Sequence, residues 1–373
     1  MSKAIFINDL RNGGAERVVA NLINNSKEEF LLIKIWPDEF NCVNTTRKVN
    51  LLDKKSFLPF DLLKAFFKLL QIVRKEKITT VNSHLFWANY LNVFSSFFLK
   101  YKTICTHCVS FESKFGGNKK VGYFHSFLIR HLLKHSNFHT YKSLDMKNEY
   151  EGNFNLKHGS VIYNAIDYKN ILKLSGFDDA QPLLFNENIV YVLIVGRFHK
   201  TKNQSSIIEA IPNVRNNVYF IFLGDGDELD YCEQRAKELK IEDRVSFLGQ
   251  VQNPYPYYKN CDFYLSASLS EGFPNALIEA ISLNCYPIHL DCKTGPKEVL
   301  SCFYSKNKID EFPYGELYGL GFLLGDDSTD SISSAINYCV TNKPPINKAE
   351  KSFLIKSLEK NNIIEKYKNL MVN

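Results

Sequence analysis

The chain has 373 residues, which suffices for about two or three domains of ordinary size. Its composition, 45% hydrophobic and 23% charged with a net charge of +6, is typical of a globular protein with buried cores. No uncharged apolar stretch reaches about 18 residues and the first residues lead straight into a strand pattern, so we expect neither a membrane span nor a signal peptide. The nine cysteines are scattered, and the pair Cys105 and Cys108 has no second such pair, which indicates reduced thiols and no zinc site.

Positive charge is concentrated in the first half of the chain. Residues 1–165 hold 24 lysines and arginines against 13 acidic residues, a net +11, whereas residues 166–373 hold 22 against 27, a net −5. A basic half suits nucleic acid, an anionic membrane surface or a phosphorylated substrate. A solvated basic surface with no partner is the alternative, and charge alone does not decide between them.

Short β-rich runs alternate with helical stretches along the whole chain. In chain order the predicted strands are residues 4–8, 30–36, 78–83, 102–107, 138–143 and 160–164, then 189–196, 218–224, 244–249, 262–268, 285–290 and 321–325. Near-continuous apolar strands separated by helices indicate parallel sheets covered on both faces. Two such series predict an α/β protein with two Rossmann-like domains, joined within residues 164–182, where polar residues interrupt the pattern. Because such sheets bind ligands at the carboxyl ends of their strands, two facing domains would enclose a central cleft.

Three features of the first half lie beside these predicted strands. Gly13 and Gly14 follow the first strand, where they either let the backbone approach a ligand or form a plain turn into the next helix. Residues 60–77 predict an amphipathic helix whose apolar side packs on the sheet. His107 ends the strand at residues 102–107, and its position allows either a structural or a catalytic role.

In the second half, two loops follow strands. The segment GRFHKTKNQ places Arg197, Lys200 and Lys202 together, and these cations suit the oxygens of a diphosphate, although a solvated basic loop is the alternative. The segment GDGDELD contains Asp225 and Asp227, which we interpret as an Asp-Gly turn and a helix cap rather than as metal ligands.

The segment SEGFPNALIEA at residues 270–280 carries two glutamates eight positions apart, Glu271 and Glu279. Pro274 favours a helix start, and the residues after it are apolar except for one stripe that contains Asn275 and Glu279. A buried ionised carboxylate is unfavourable unless it is hydrogen-bonded, and a helix start attracts phosphate. The segment therefore predicts a pocket for a ligand with hydroxyls and phosphate, the alternative being a core helix whose glutamate is paired with a neighbour.

Together these segments resemble the retaining glycosyltransferases of family 4, whose two Rossmann-like domains form the arrangement called GT-B. The matching pieces are GGAERVV, VIYNAID, VGRFHKTKN, LGDGDE, VSFLGQV and, above all, EGFPNALIEA, which fits the family's Glu-x7-Glu pattern. The resemblance spans roughly residues 1–340. The segment TGPKEVL at residues 294–300 looks like one found in members that build bacterial surface polysaccharides or lipid-linked oligosaccharides.

The resemblance implies an acceptor-binding domain at residues 1–166 and a nucleotide-sugar-binding domain at residues 167–373. It also implies that the last helix, about residues 355–373, packs back on the first domain, and the amphipathic pattern of residues 351–370 agrees with this. The implied catalytic residues are Arg197, Lys202, Glu271 and His107, and the implied donor-binding residues are Gly13, Gly14, Phe273, Pro274, Asn275, Ala276 and Glu279. Among these, the two cations would neutralise the diphosphate, Glu279 would hold the ribose, and Glu271 would contact the transferred sugar.

By the same resemblance, the expected activity is transfer of a hexose or N-acetylhexosamine with retention of configuration, without a metal or other cofactor. The implied partners are a UDP-sugar donor, a saccharide or lipid-linked acceptor of bacterial surface glycan synthesis, and an anionic membrane surface, but not nucleic acid. The implied location is peripheral, on the cytoplasmic face of the membrane. A nucleotide-sugar epimerase, a phosphorylase and a non-catalytic binding module of the same architecture are the alternatives.

Overall fold

The structure is a computed structural model that describes residues 2–11, 13–26, 28–39, 43–177, 185–304 and 308–372. The chain divides into two compact units. The first unit comprises Met1–Ala165 together with Lys360–Asn373, and the second comprises Ile166–Glu359. The sequence places this division between residues 166 and 167, and residues 178–184, which overlap the end of the predicted junction, lie outside the described residues.

The first unit is built on a parallel sheet of seven strands. They are β1 (Ser2–Ile7), β2 (Leu31–Lys34), β3 (Lys48–Asn50), β4 (Ile78–His84), β5 (Lys102–His107), β6 (Phe138–Tyr141) and β7 (Gly159–Val161). Their spatial order is β3-β2-β1-β4-β5-β6-β7, in which the chain starts at the third position and reverses direction across the sheet. This is the order of a Rossmann-like sheet, and the reversal next to β1 is where such sheets bind ligands.

In the part of the first unit that the structure describes, six helices connect the strands. They are α1 (Gly14–Asn25), α2 (Pro59–Lys75), α3 (Phe86–Ser96), α4 (Phe111–Phe115), α5 (Lys119–His131) and α6 (Leu144–Phe154). As predicted, α2 packs its apolar side on the sheet, where Phe66, Leu69 and Val73 join the buried cluster of β1, β2 and β4. A single 3-10 turn, Leu133–His135, leads from α5 to β6.

The second unit repeats the same plan with a larger sheet. Its strands are β8 (Val190–Val195), β9 (Val218–Leu223), β10 (Val245–Phe247), β11 (Phe263–Ser266), β12 (Tyr286–Leu290), β13 (Asp310–Phe312), β14 (Gly315–Tyr318) and β15 (Gly321–Leu324). Their order is β10-β9-β8-β11-β12-β15-β14-β13. The pairs from β10 to β15 are parallel, and the pairs β15-β14 and β14-β13 are antiparallel. Both units therefore have the predicted doubly wound α/β architecture.

Among its described residues, the second unit has eight helices. They are α7 (Tyr168–Leu174), α8 (Gln204–Ala210), α9 (Leu229–Glu238), α10 (Tyr255–Asn260), α11 (Asn275–Ser282), α12 (Pro296–Leu300), α13 (Thr329–Asn342) and α14 (Lys348–Ser357), with 3-10 turns at Ile211–Asn213 and Glu242–Arg244. Helices α8 and α13 cover one face of the sheet in a buried aliphatic and aromatic core.

The carboxyl-terminal segment differs in part from the sequence prediction. Residues 351–370 were expected to form one amphipathic helix, but the structure has two helices there, α14 and α15 (Lys360–Val372). The break occurs where Leu358 accepts a hydrogen bond from the backbone of Ile166, 2.8 Å away, so the end of α14 is fixed to the second unit. Helix α15 instead buries Ile363, Ile364 and Tyr367 in the core of the first unit, as the resemblance implied for the last helix.

All twelve predicted strand segments overlap observed strands, but three observed strands, β3, β13 and β14, were not predicted. Each has only three or four residues, and at least one charged residue interrupts its apolar pattern. Within the part of the chain that the structure describes, no helix is both long enough and apolar enough to cross a membrane.

Candidate functional site

The loop between β8 and α8 carries the two predicted cations, Arg197 and Lys202. The loop is held from within by Gln204, a buried side chain whose amide donates a hydrogen bond to the carbonyl of Arg197, 3.1 Å away. The backbone N–H of Lys202 donates a hydrogen bond to the carbonyl of His199, 2.7 Å away, and closes the turn. The sequence of the loop therefore positions both cations at the carboxyl end of a central strand, where a Rossmann-like sheet binds its ligand.

A second loop packs against the first one and limits how it can move. Gly224 and Gly226 follow β9 with positive φ angles, and a Cβ atom on them would lie 2.0 Å from the carbonyl oxygen of Gly196 and 2.1 Å from that of Phe198. Only glycine allows two backbones to approach so closely. Asp225 accepts a hydrogen bond from the backbone of Gly226, as expected of an Asp-Gly turn. No cluster of three or more potential metal ligands occurs among the described residues.

Lys202 makes a direct ion pair with Glu271. Its Nζ atom lies 2.5 Å from Glu271 Oε1, and the Glu271 side chain is 14% exposed. The loop that carries Glu271 follows β11 and is attached to the cation loop, because the backbone of Leu269 donates to the carbonyl of Thr201 over 2.8 Å. The hydroxyl of Thr294 donates to the Glu271 carbonyl and fixes the other side of the loop.

Electrostatic interactions keep the Glu271 carboxyl ionised although its side chain is largely buried. Burial alone would raise the pKa of this carboxyl, but the positive charge of Lys202 and the hydrogen bond that it donates outweigh the burial and hold the pKa below its ordinary value. The site therefore contains a fixed carboxylate, which can accept hydrogen bonds from a polar ligand, next to an ammonium, which can donate them.

His289 is a part of this site that sequence reasoning did not single out. It lies on β12, is fully buried, and its Nδ1 donates to the carbonyl of Leu290 over 2.9 Å, which leaves Nε2 as the acceptor nitrogen of a neutral ring. Burial lowers its pKa, although the charge of Glu271 acts in the opposite direction. Nε2 has no hydrogen-bond partner among the residues that the structure describes. The sequence signal was only a histidine in an apolar strand, which does not reveal the proximity to Glu271.

Helix α11 holds the second glutamate of the Glu-x7-Glu segment. Pro274 caps its start, Asn275 and Ala276 lie half-buried in its first turn, and Glu279 is buried one turn later, as the polar stripe predicted. The hydroxyl of Tyr258, itself fully buried, donates to Glu279 across 3.5 Å, a long hydrogen bond. Phe273 is also buried beside the helix start.

Arg197 differs from Lys202 in how tightly it is held. Its side chain is 62% exposed, and its guanidinium lies 3.8 Å from Asp227, which is itself exposed. Such a pair is weak in water, so the guanidinium can turn toward an anionic ligand with little loss. The second unit therefore brings Arg197, Lys202 and Glu271 onto loops that contact one another.

In the first unit, Gly13 and Gly14 begin α1. Gly13 caps the helix with extended backbone angles, so its conformation does not require glycine, and a Cβ atom there would meet the carboxylate of Glu16 at 2.2 Å. Burial raises the pKa of Glu16 to about 6. Around Gly14 there is open space for a ligand, because a Cβ atom there would meet nothing within 4 Å.

His107 lies in a buried aromatic cluster at the carboxyl end of β5. It is 2% exposed, its Nε2 is 3.1 Å from Nδ1 of His139, and its ring stacks on Tyr141 at 5.1 Å and contacts Tyr150 at 4.3 Å. Burial holds its pKa well below the ordinary value, so the ring is neutral. These contacts are those of the structural role considered above, and the catalytic role stays a prediction.

Two Rossmann-like units in one chain are the arrangement of the GT-B fold, and solved structures have the same fold. Sucrose-phosphate synthase from Thermosynechococcus elongatus matches 99% of this chain and 98% of its own with a TM-score of 0.79 at 14% identity. The Anabaena protein HepE in complex with UDP matches 100% of both chains with a TM-score of 0.75 at 15% identity. At these identities the likeness shows the fold alone.

Sequence comparison identifies the family. The protein family described as "Glycosyl transferases group 1" matches residues 177–351 of the chain. An N-acetylgalactosaminyltransferase of Campylobacter jejuni, which acts on an N,N'-diacetylbacillosaminyl-diphospho-undecaprenol carrying N-acetylgalactosamine, is 30% identical over 79% of this chain and 82% of its own. The amylovoran biosynthesis glycosyltransferase AmsD of Erwinia amylovora is 25% identical over 79% of this chain and 82% of its own. The chain therefore belongs to the group 1 glycosyl transferases and is a glycosyltransferase.

Proposed function

We propose that the protein transfers a hexose or N-acetylhexosamine from a UDP-sugar to a lipid-linked saccharide in bacterial surface glycan synthesis, with retention of the anomeric configuration as in family 4. The observation that carries the proposal is the ion pair of Lys202 and Glu271, fixed on two strand-end loops that also carry the exposed Arg197. The relative that acts on a diphospho-undecaprenol acceptor and the HepE structures that hold UDP and glucose support the acceptor and donor classes.

In this proposal each side chain of the second unit has one task. Arg197 leaves Asp227 and, with Lys202, binds the diphosphate. Glu279 accepts hydrogen bonds from the ribose hydroxyls, and Glu271 accepts them from the transferred sugar. Phe273, Pro274, Asn275 and Ala276 line the sugar site at the start of α11.

The chemical demand is to stabilise the charge that develops on the leaving diphosphate. Lys202 and the positive end of the α11 helix dipole act on that charge from fixed positions, and Arg197 adds its charge once it has turned from Asp227. In a retaining transfer the bond from the anomeric carbon to the phosphate oxygen breaks, the acceptor oxygen bonds to the same face of that carbon, and the departing phosphate oxygen takes the acceptor's proton. We propose that this chain needs no metal or other cofactor, and that Gly13, Gly14 and His107 contribute from the first unit.

The test is transfer itself. Purified protein is incubated with UDP-glucose, UDP-galactose, UDP-N-acetylglucosamine or UDP-N-acetylgalactosamine and with undecaprenyl diphosphate-linked saccharides in detergent, and the products are analysed by mass spectrometry and by NMR of the new linkage. We expect one donor to give a product with retained configuration. An inverted linkage would contradict the retaining assignment, and no product with any donor would contradict the proposed substrates.

Site variants test the roles of Lys202 and Arg197, and a chelator tests whether transfer is independent of a metal. Replacing Lys202 with methionine or Arg197 with glutamine is expected to lower turnover roughly 10²-fold or more, because each removes charge stabilisation of the leaving group. The matched control is Lys308→Met, which removes an exposed ion pair elsewhere in the same unit and is expected to keep full turnover. Turnover in EDTA should equal that without it, and a loss that added Mg²⁺ or Mn²⁺ restores would contradict metal independence only.

The proposal also places the protein at the cytoplasmic face of a membrane. The net charge of +11 on residues 1–165 attracts an anionic surface with about 1 kcal/mol per basic residue close to it. Binding to anionic vesicles should therefore weaken as salt shortens the Debye length. Equal binding to neutral and anionic vesicles, or no binding at low salt, would remove this part and leave a soluble acceptor.

A further inference from the structure

Helix α2 has a second apolar stripe that faces solvent. While Phe66, Leu69 and Val73 pack on the sheet, Phe60, Leu63 and Phe67 lie beside this buried side at i, i+3 and i+7 and are exposed, Phe60 by 77%. A surface helix of a globular protein normally has polar residues there. The sheet therefore does not explain this stripe.

The end of α3 extends the stripe into a surface. Phe94, Phe97 and the following Phe98 are each about half exposed. The buried ring of Phe66 lies 5.2 Å from Phe67, 5.0 Å from Phe94 and 5.4 Å from Phe98, so the rings of both helices adjoin one another. We name the set Phe60, Leu63, Phe67, Phe94, Phe97 and Phe98 the aromatic face. An exposed apolar area of this kind marks a site of interaction.

Charge indicates which partner the aromatic face fits. Lys64 and Lys68 directly follow Leu63 and Phe67 on α2, and Lys100 follows Phe98 closely along the chain. The only acidic residue in α2 is Asp61, which accepts a hydrogen bond from Ser56, and α3 has none. Aromatic residues with cations and almost no acids suit an anionic lipid surface. A second copy of the chain suits it less, because a two-fold interface would bring this basic patch, which has almost no acidic residues, against an identical basic patch.

Helix α5 shows the same combination next to the aromatic face. Tyr123, Phe124 and Phe127 are exposed on one side of it, beside Lys119 and Lys120 at its start. The turn that follows α5 carries His135, whose ring lies 5.4 Å from that of Phe97. Two neighbouring elements of one unit thus expose aromatic rings among basic residues.

We propose that the aromatic face inserts into the boundary between headgroups and acyl chains of an anionic membrane, so that binding has a part that salt does not abolish. This deepens the proposed function, on which it rests, since a lipid-linked acceptor requires contact with the membrane. Burial of the rings supplies the salt-resistant part, and Lys64 and Lys68 supply the salt-sensitive part.

The first experiment separates these two parts by sedimentation with vesicles of phosphatidylglycerol and phosphatidylethanolamine. The triple variant Phe60→Ser, Phe67→Ser, Phe97→Ser is expected to bind about tenfold or more weakly at both about 0.05 M and about 0.5 M salt. The double variant Lys64→Gln, Lys68→Gln should bind more weakly than the parent at the low salt concentration and as tightly as the parent at the high one. The control Phe353→Ser removes a ring of the second unit that is 51% exposed and should bind like the parent. Equal binding of the triple variant and the parent at high salt would overturn the proposal.

The second experiment locates the ring in the bilayer and tests the alternative partner. Phe60→Trp should gain fluorescence quenching by brominated lipids, whereas Phe353→Trp should gain none, and no gain in the first variant would contradict insertion. Sedimentation velocity without lipid should give a monomer for the parent and for the triple variant. A dimeric parent with a monomeric triple variant would instead assign the aromatic face to a second copy of the chain.

Failure of this inference can be told from failure of the proposed function. Transfer to an acceptor dispersed in detergent should be the same for the triple variant and the parent, since none of the replaced rings belongs to the candidate site. If the parent transfers the sugar and the triple variant binds vesicles as tightly as the parent, the insertion is rejected and the proposed function is kept. Vesicle binding as expected without any transfer would reject the proposed function and keep the insertion.

Discussion

At the scale of single residues, the ion pair of Lys202 and Glu271 links the stability of the protein to its chemistry. A carboxylate that is 14% exposed needs a compensating charge, and Lys202 at 2.5 Å provides it. Under the proposed function, a bound diphosphate would share the charge of Lys202 with Glu271. The same lysine would then stabilise Glu271 in the free protein and the leaving group in the complex.

The pair predicts a pH-dependent stability. Because the folded pKa of Glu271 lies below its ordinary value of 4.5, its contribution is present above that value and is lost as the pH falls through the folded pKa. Lys202→Met should therefore be less stable than the parent at pH 7, by about 1–2 kcal/mol since Lys202 is one-third exposed, and the difference should narrow in acid. Thermal denaturation of both proteins from neutral to acid pH measures this. A difference that stays constant with pH would show that the pair is not its cause.

Glu279 carries the prediction for donor binding. Its carboxylate is buried on α11, so Glu279→Ala would leave the ribose hydroxyls of a bound nucleotide without their acceptor and weaken UDP binding by about 1–3 kcal/mol. Calorimetry with UDP checks this, with circular dichroism to verify folding. The control Glu238→Ala removes an exposed glutamate of α9 and should leave the affinity unchanged. Unchanged UDP affinity in a folded Glu279→Ala protein would reject the ribose assignment.

At the scale of elements, the loops after β8, β9 and β11 behave as one assembly. The β9 loop touches the β8 loop through glycine backbones, and the β11 loop is bonded to it through Thr201. The cations are therefore positioned by contacts between loops, in addition to those within their own loop. Changes on the β9 loop, which carries neither cation, should consequently disturb the site.

Gly226→Ala tests this assembly. Its Cβ atom would lie 2.1 Å from a backbone oxygen of Phe198, at a φ of +151° that L-residues rarely adopt, so we expect a loss of about 2–4 kcal/mol in stability together with lower turnover. Gly14→Ala is the control, because it starts a helix with free space around it and should leave the melting temperature unchanged or slightly higher. A Gly226→Ala protein as stable as the parent would contradict the close approach.

At the scale of the whole molecule, the sequence predicts the α/β alternation and the two sheets because each apolar strand is followed by a periodic helix. It also identifies the Glu-x7-Glu helix, where a buried polar stripe has a local signature. Strands β13 and β14 lack such a signature, since they form by pairing at the edge of a sheet that is already complete. Their existence depends on β15, which a local pattern does not include.

Tertiary proximity explains the other differences. His289 becomes part of the site only because β12 lies beside β11. In the sequence it occupies an ordinary buried position of an apolar strand, which does not reveal this proximity. The aromatic face was missed because α2 has apolar residues on both sides, and the sequence period does not tell which side covers the sheet. The contacts of Gly226 with Phe198 likewise join residues far apart in sequence, so no single segment encodes them.

The last prediction concerns the helix that leaves the second unit to complete the first. Ile364 on α15 is buried among Ile5, Ile7 and Leu22, so Ile364→Ala should destabilise the first unit by about 2–5 kcal/mol. Ile332→Ala, in the core of the second unit, is the matched change.

Fluorescence distinguishes the two variants because both tryptophans of the chain, Trp36 and Trp87, belong to the first unit. Thermal unfolding followed by tryptophan emission should shift to lower temperature in Ile364→Ala and much less in Ile332→Ala. The unfolding temperature measured by far-ultraviolet circular dichroism, to which both units contribute, should be lower in both variants. A tryptophan transition that Ile364→Ala leaves unchanged would show that α15 does not stabilise the first unit, and equal shifts in both variants would show that the two units unfold as one.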